Sequence, residues 1–135
     1  MIRQLDEKTL VSGQVAPHEV AELAGQGVTM LVNNRPDGEE PGQPRAGEIE
    51  AAAAEAGIGY RFMPIIRGIG PADIEAMREA VRETGDGKLL AFCGSGRRSA
   101  FTLALAQRED GATRDQVERR LNAAGFDCSP IAHLL

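Results

Sequence analysis

One segment constrains the fold more than any other: LLAFCGSGRRSAFTLALAQR, residues 89–108, where an apolar run passes without a spacer into a glycine-rich turn and then into a helical pattern. A strand, a tight turn and a helix in immediate succession form a βα unit, and such units build sheets of mostly parallel strands. The rest of the chain repeats the alternation of short apolar runs and helical patterns, with no internal repeat or long linker. The expected class is α/β: a doubly wound, mostly parallel sheet of four to five strands flanked by helices.

The other elements follow from local signals. Leu10 to Ser12 reads as a short strand ending at Gly13, and Pro17 opens a helix that Gly25 or Gly27 closes. Thr29 to Asn33 is the next strand. Residues 33–44, NNRPDGEEPGQP, carry Pro36 and Pro41 among glycines and acids, which predicts an irregular loop; a loop of that length in a compact domain is often functional. Arg45 to Ala56 reads as a helix stopped by Gly57, Tyr60 to Ile66 as a strand with Pro64 near its end, and Pro71 as the start of a helix that buries Ile74, Met77 and Val81. Lys88 to Phe92 is a buried strand. Thr113 and Gln116 form the capping box of a last helix ending at Gly125.

Length and charge then limit the function classes. A chain of 135 residues fits a single domain, 1–135, and 42% apolar residues suffice for a core. A net charge of −5 speaks against nucleic acid and anionic membranes as partners, so any anion binding must be local. Cys93 and Cys128 allow at most one disulfide, and with only His18 and His133 beside them neither a disulfide framework nor a metal site is expected. Charges at Arg3, Asp6, Glu7 and Lys8 fall where a signal peptide would be apolar, which points to a cytoplasmic protein.

The chemistry concentrates in the same βα unit. A cysteine at the carboxyl end of a strand, facing a helix N-terminus and guanidinium groups, has its thiolate stabilised and becomes a nucleophile at neutral pH. The N–H groups from Gly94 through Ser95 and Gly96 to Ser99 can curl into an oxyanion nest, with Gly94 and Gly96 allowing positive φ and close approach. Arg98 is placed to clamp the anion with two parallel hydrogen bonds, Arg97 to add charge, and Ser99 to hydrogen-bond the thiolate. GSGRRS also has the look of a dinucleotide fingerprint, but that element belongs to a first βα unit, and this one follows the fourth apparent strand. No cofactor is expected. Cys93 as a mere buried apolar residue fits the pattern poorly. Cys128, His18 and His133 read as packing or surface residues, and Arg114, Arg119 and Arg120 as a solvated helix face opposite Asp115 and Glu118.

The SGQ at 12–14, NNRPDGEEPGQP at 33–44, the Ala-rich helix, the MPI around Pro64 and LLAFCGSGRRSA at 89–100 together resemble the phosphatase-like domain family named after the beta-lactamase hydrolase-like protein. That resemblance implies a tyrosine-phosphatase-like fold of the dual-specificity type, and a reaction described in the family both as phosphatase and as rhodanese-like sulfurtransferase chemistry. Family members carry Arg directly after the nucleophilic Cys and a small residue before the clamping Arg; here Gly94 and Arg97 stand there, as if the charge had moved along the loop.

Two features favour sulfur transfer. Tyrosine-phosphatase-type loops read Cys-x5-Arg, whereas Arg98 gives Cys-x4-Arg, the rhodanese-type length. A phosphatase also protonates its leaving group from an Asp that follows the preceding strand, and here IIRGIG places Arg67 in that stretch with no carboxylate before Asp73. The preferred expectation is therefore a Cys93 persulfide formed from thiosulfate or a persulfide, with a thiol acceptor. Phosphomonoester hydrolysis through a Cys93 phospho-thioester is the alternative, with Asp37, Glu39 or Glu40 of the 33–44 loop as accessory acid, and a non-catalytic oxyanion-binding module is the second alternative.

Overall fold

The computed structural model describes residues 1–135. Five strands, β1 (Arg3–Gln4), β2 (Thr9–Ser12), β3 (Val28–Asn33), β4 (Gly59–Phe62) and β5 (Lys88–Phe92), form one sheet in the order β1-β2-β5-β3-β4. All neighbours are parallel except β1, which pairs antiparallel with β2 at the edge. The helices are α1 (Val20–Gly25), α2 (Ala46–Ala56), α3 (Pro71–Glu83), α4 (Arg97–Glu109) and α5 (Arg114–Ala123), with 3-10 turns at Pro17–Glu19 and Ser129–Leu134.

Strand periodicity divides the core in two. In β5, Leu89 and Ala91 point to one face, where Phe101, Leu103, Met77 and Leu121 cover them; Leu90 and Phe92 point to the other, against Val20, Leu23, Ile49 and Ala53. β3 alternates likewise from Met30 on, Met30 and Val32 against Leu31, while a register shift between Val28 and Met30 leaves Val28 on the side of Leu31. Both faces of the central strands are buried, which is why their sequences are continuously apolar. The α/β class and the doubly wound arrangement are as expected.

The end of one strand differs from the sequence expectation for a physical reason. β4 ends at Phe62 and does not reach Ile66: Pro64 has no N–H for a ladder, and the chain peels away while Met63 and Ile65 donate to the carbonyls of Asn33 and Asn34 (2.8 and 2.9 Å). The edge strand β1 was not expected at all. β5 occupies the interior of the sheet between β2 and β3, so its carboxyl end opens into the crevice where α/β sheets bind ligands.

Candidate active site

Cys93 follows directly on β5, and Gly96 begins α4 with φ of 92°, the left-handed conformation that a glycine adopts at least cost. The intervening loop bends around the sulfur. Gly96 N–H donates to Cys93 Sγ at 3.1 Å, and the side chain is fully buried. Burial pushes the Cys93 thiol up, but hydrogen bonds from the N–H groups of Ser99, Ser95 and Gly96 and from the Ser99 hydroxyl outweigh it, leaving the pKa below the ordinary 9.0. Of the helix N-terminus and the guanidinium groups that the sequence set facing the thiol, it is chiefly the N–H groups at the start of the helix that lower it. The Ser99 hydroxyl has one proton and two claimants, because it also donates to Asn34 Oδ1 at 2.8 Å. Of the two glycines expected to take positive φ, only Gly96 does so. The loop is backed closely by the end of β2: a Cβ at Gly13 would stand 3.0 Å from Gly94 O, and one at Gly96 3.3 Å from Ser12 O.

Arg98 lies beside this cradle, its Nη2 3.5 Å from where a Cβ on Gly94 would stand. Its Nη1 donates to Ile65 O (2.9 Å) and to Glu39 Oε2 (2.8 Å), and its Nη2 to Glu39 Oε1 (2.9 Å). The arginine sequence reasoning missed is Arg35. It is 6% exposed, its Nε donates to Glu39 Oε1 and its Nη2 to Glu40 Oε1, both at 2.9 Å, and its Nη1 to Gln14 Oε1 at 3.0 Å. A Cβ on Gly94 would lie 3.5 Å from Arg98 Nη2 and 3.6 Å from Arg35 Nε. The cations beside Gly94 are thus Arg98 and, from just past the end of β3, Arg35, and the displaced charge expected of Arg97 lies elsewhere: Arg97 is exposed, with its guanidinium 5.6 Å from the Phe101 ring centroid.

The end of β3 organises the rest. Asn33 and Asn34 are buried; Asn33 Oδ1 accepts from Arg35 N–H (2.9 Å), and Asn34 Nδ2 donates to Met63 O (2.9 Å) while its Oδ1 takes the Ser99 hydroxyl. The signal for this network was legible: three polar residues, Asn-Asn-Arg, at the carboxyl end of a buried strand.

The expected accessory acids are otherwise engaged. Asp37 Oδ1 accepts from Ala46 N–H at 2.7 Å at the start of α2, and Glu40 pairs with Arg35. Glu39 is held ionised, its carboxyl lowered from 4.5 to about 2, first by the hydrogen bonds from Arg98 and further by Arg35, against the opposing pull of burial. Arg67 is exposed and stands with Arg97 and Arg98 around a neighbouring cavity. Cys128 is half-buried against the core.

The Glu39 pairing has a pH signature. A carboxyl whose folded pKa lies below its unfolded value stabilises the fold above the unfolded pKa, and that contribution disappears as pH falls through the folded one. Glu39→Gln is expected to lower the thermal midpoint at pH 7 by at most about 4 °C, because the pair is partly solvated. Thermal unfolding followed from pH 7 downward should show the gap between variant and wild type closing between 4.5 and about 2.

The chain matches the model of the family described as "Beta-lactamase hydrolase-like protein, phosphatase-like domain" over residues 1–110. It is 41% identical over 128 residues to a beta-lactamase hydrolase-like protein of Xylella fastidiosa, a match covering 93% of this chain and 30% of that protein. The chain thus spans under a third of the length of that relative. Among solved structures it is similar to a proposed phosphatase of Neisseria meningitidis (29% identity, TM-score 0.80, 98% of this chain and 94% of that one) and, in fold alone, to PTPMT1 (15% identity, TM-score 0.73, 99% and 91%). These likenesses back the phosphatase-like reading better than the sulfur transfer that loop length and the missing Asp favoured in the sequence. No helix is long and apolar enough to cross a membrane.

Proposed function

The chain belongs to the family of phosphatase-like domains of the beta-lactamase hydrolase-like protein, and from that premise we propose that it hydrolyses phosphate monoesters through a Cys93 phospho-thioester. The observation that carries the reading is the cradle itself: a buried sulfur held below its ordinary pKa by N–H groups of the loop, at the start of a helix and beside Arg98. A phosphoryl group transferred to Cys93 would leave its nonbridging oxygens to the same loop amides, the N-terminal dipole of α4 and the guanidinium.

In the first step the Cys93 thiolate forms the S–P bond as the P–O bond to the leaving group breaks, and the leaving group departs as an alkoxide or phenoxide. Water then attacks phosphorus, the S–P bond breaks, and inorganic phosphate leaves with the thiolate restored. With Glu39 ionised and Asp37 bonded to α2, neither is a ready proton donor in this arrangement. Esters of acidic alcohols and phenols, whose anions need no protonation to leave, are accordingly the favoured substrates.

The two chemistries leave different masses on the same sulfur. Rapid denaturing quench of the protein during turnover of an aryl phosphate is expected to trap a gain of one phosphoryl group that is absent in Cys93→Ser. A gain of one sulfur from thiosulfate, with no phosphoryl adduct and no aryl phosphate turnover, would overturn the proposal in favour of sulfur transfer.

A further inference from the structure

Beside the cradle, sharing Arg98 with it, lies a cavity of about 640 Å³ whose composition is unlike that of the chain as a whole. The protein carries a net charge of −5, yet this cavity is lined by three arginines, Arg67, Arg97 and Arg98, and by no carboxylate. Its walls are apolar: Ile65, Ile69, Phe101 and Ile131. At its rim Ile66 is 78% and Leu134 49% exposed, two of the few large apolar side chains that folding leaves in water.

Arg98 is committed to Glu39 and Ile65, but Arg67 and Arg97 make no ion pair. Asp127, the carboxylate that feels the charge of Arg97, is itself held by the Ser129 hydroxyl (2.7 Å) and N–H (3.0 Å). Two unpartnered guanidinium groups over an apolar floor form a composite surface. Its complement is an apolar body bearing a negative charge remote from the scissile phosphate.

We propose that this cavity is the leaving-group subsite, and that it selects phosphate monoesters whose leaving group joins an apolar, aromatic or branched body to a second anionic group. The inference rests on the phosphatase reading for the word "leaving", since it is the cradle on the far side of Arg98 that would hold the phosphate. The physical sequence is that phosphate docks in the cradle, the body lies against Ile69 and Phe101, and the distal anion meets Arg67 and Arg97.

A matched pair of probes isolates the distal charge: the phosphate monoester of a para-hydroxyphenyl propanoate and that of the corresponding propanamide, whose phenols are of nearly equal acidity. Wild-type kcat/KM is expected to favour the propanoate by about three- to tenfold, as two partly exposed ion pairs would, and the preference should shrink as ionic strength rises. In Arg67→Ala combined with Arg97→Ala the two esters should come within about twofold of each other. Calorimetric binding of both esters to Cys93→Ser, which keeps the cavity, is the independent arm. Equal binding of propanoate and propanamide to that variant, or a preference that survives loss of both arginines, would overturn the subsite. Preferential binding without any wild-type turnover would instead overturn the phosphatase reading and leave an anion-selective cavity.

Discussion

Replacing Cys93 by serine is expected to lower aryl phosphate turnover by at least about 10⁴-fold, in the range seen when an enzyme loses its nucleophile, while the thermal midpoint moves by only a few degrees. The two halves of that expectation come from different properties of one site. Cys93 is fully buried and accepts a hydrogen bond from Gly96 N–H at 3.1 Å; a serine oxygen is smaller and accepts that bond at least as well, so packing and loop closure survive. Reactivity does not. The loop amides bring a thiol below its ordinary 9.0, but a comparable shift acting on an alcohol leaves it protonated throughout the range in which the protein is folded. Steady-state kinetics and thermal unfolding on the same preparation check the pair, and turnover within tenfold of wild type would remove Cys93 from the chemistry.

Why the cysteine was legible in sequence and its surroundings were not is a matter of distance along the chain. Cys93, Gly96 and Arg98 lie within one βα turn, where spacing alone fixes their relation. Arg35 meets Gly94 only because β3 and β5 are hydrogen-bonded in register, Asn33 beside Phe92. No local pattern encodes that neighbour. The strand β1 has two residues, too few for a period of two to be seen, and is held by an antiparallel edge pairing. The end of β4 was misplaced because the apolar run continues to Ile66 even though the chain leaves the sheet, turning the Ile65 carbonyl into an acceptor for Arg98. Apolarity reports burial; it does not distinguish a strand from the floor of a site. The setting of Arg98 is equally remote from the loop's own sequence: it is positioned by Glu39 and Ile65, neither of which belongs to the loop, so loop length alone does not fix where the guanidinium sits.

That positioning sets the second large effect. Arg98→Ala is expected to lower kcat/KM by about 10²–10³-fold, the loss usual when a donor to a developing oxyanion is removed, and Arg98→Lys to recover only a small part. An ammonium cannot donate to Ile65 O, bridge both oxygens of Glu39 and still present a planar edge to phosphate, whereas a guanidinium has five N–H groups to divide among them. The alanine variant also exposes a second cost. With its main partner gone, the Glu39 carboxylate, normally held at about 2 by Arg98 and Arg35, stays ionised at neutral pH and faces the incoming dianion with only Arg35 to offset it. Removing that charge as well, in Arg98→Ala with Glu39→Gln, should restore about three- to tenfold of the lost kcat/KM, mainly through KM, because one like charge near the site is relieved. A double variant no better than Arg98→Ala would mean that Glu39 turns its charge away from the anion and serves only to hold the arginine in place.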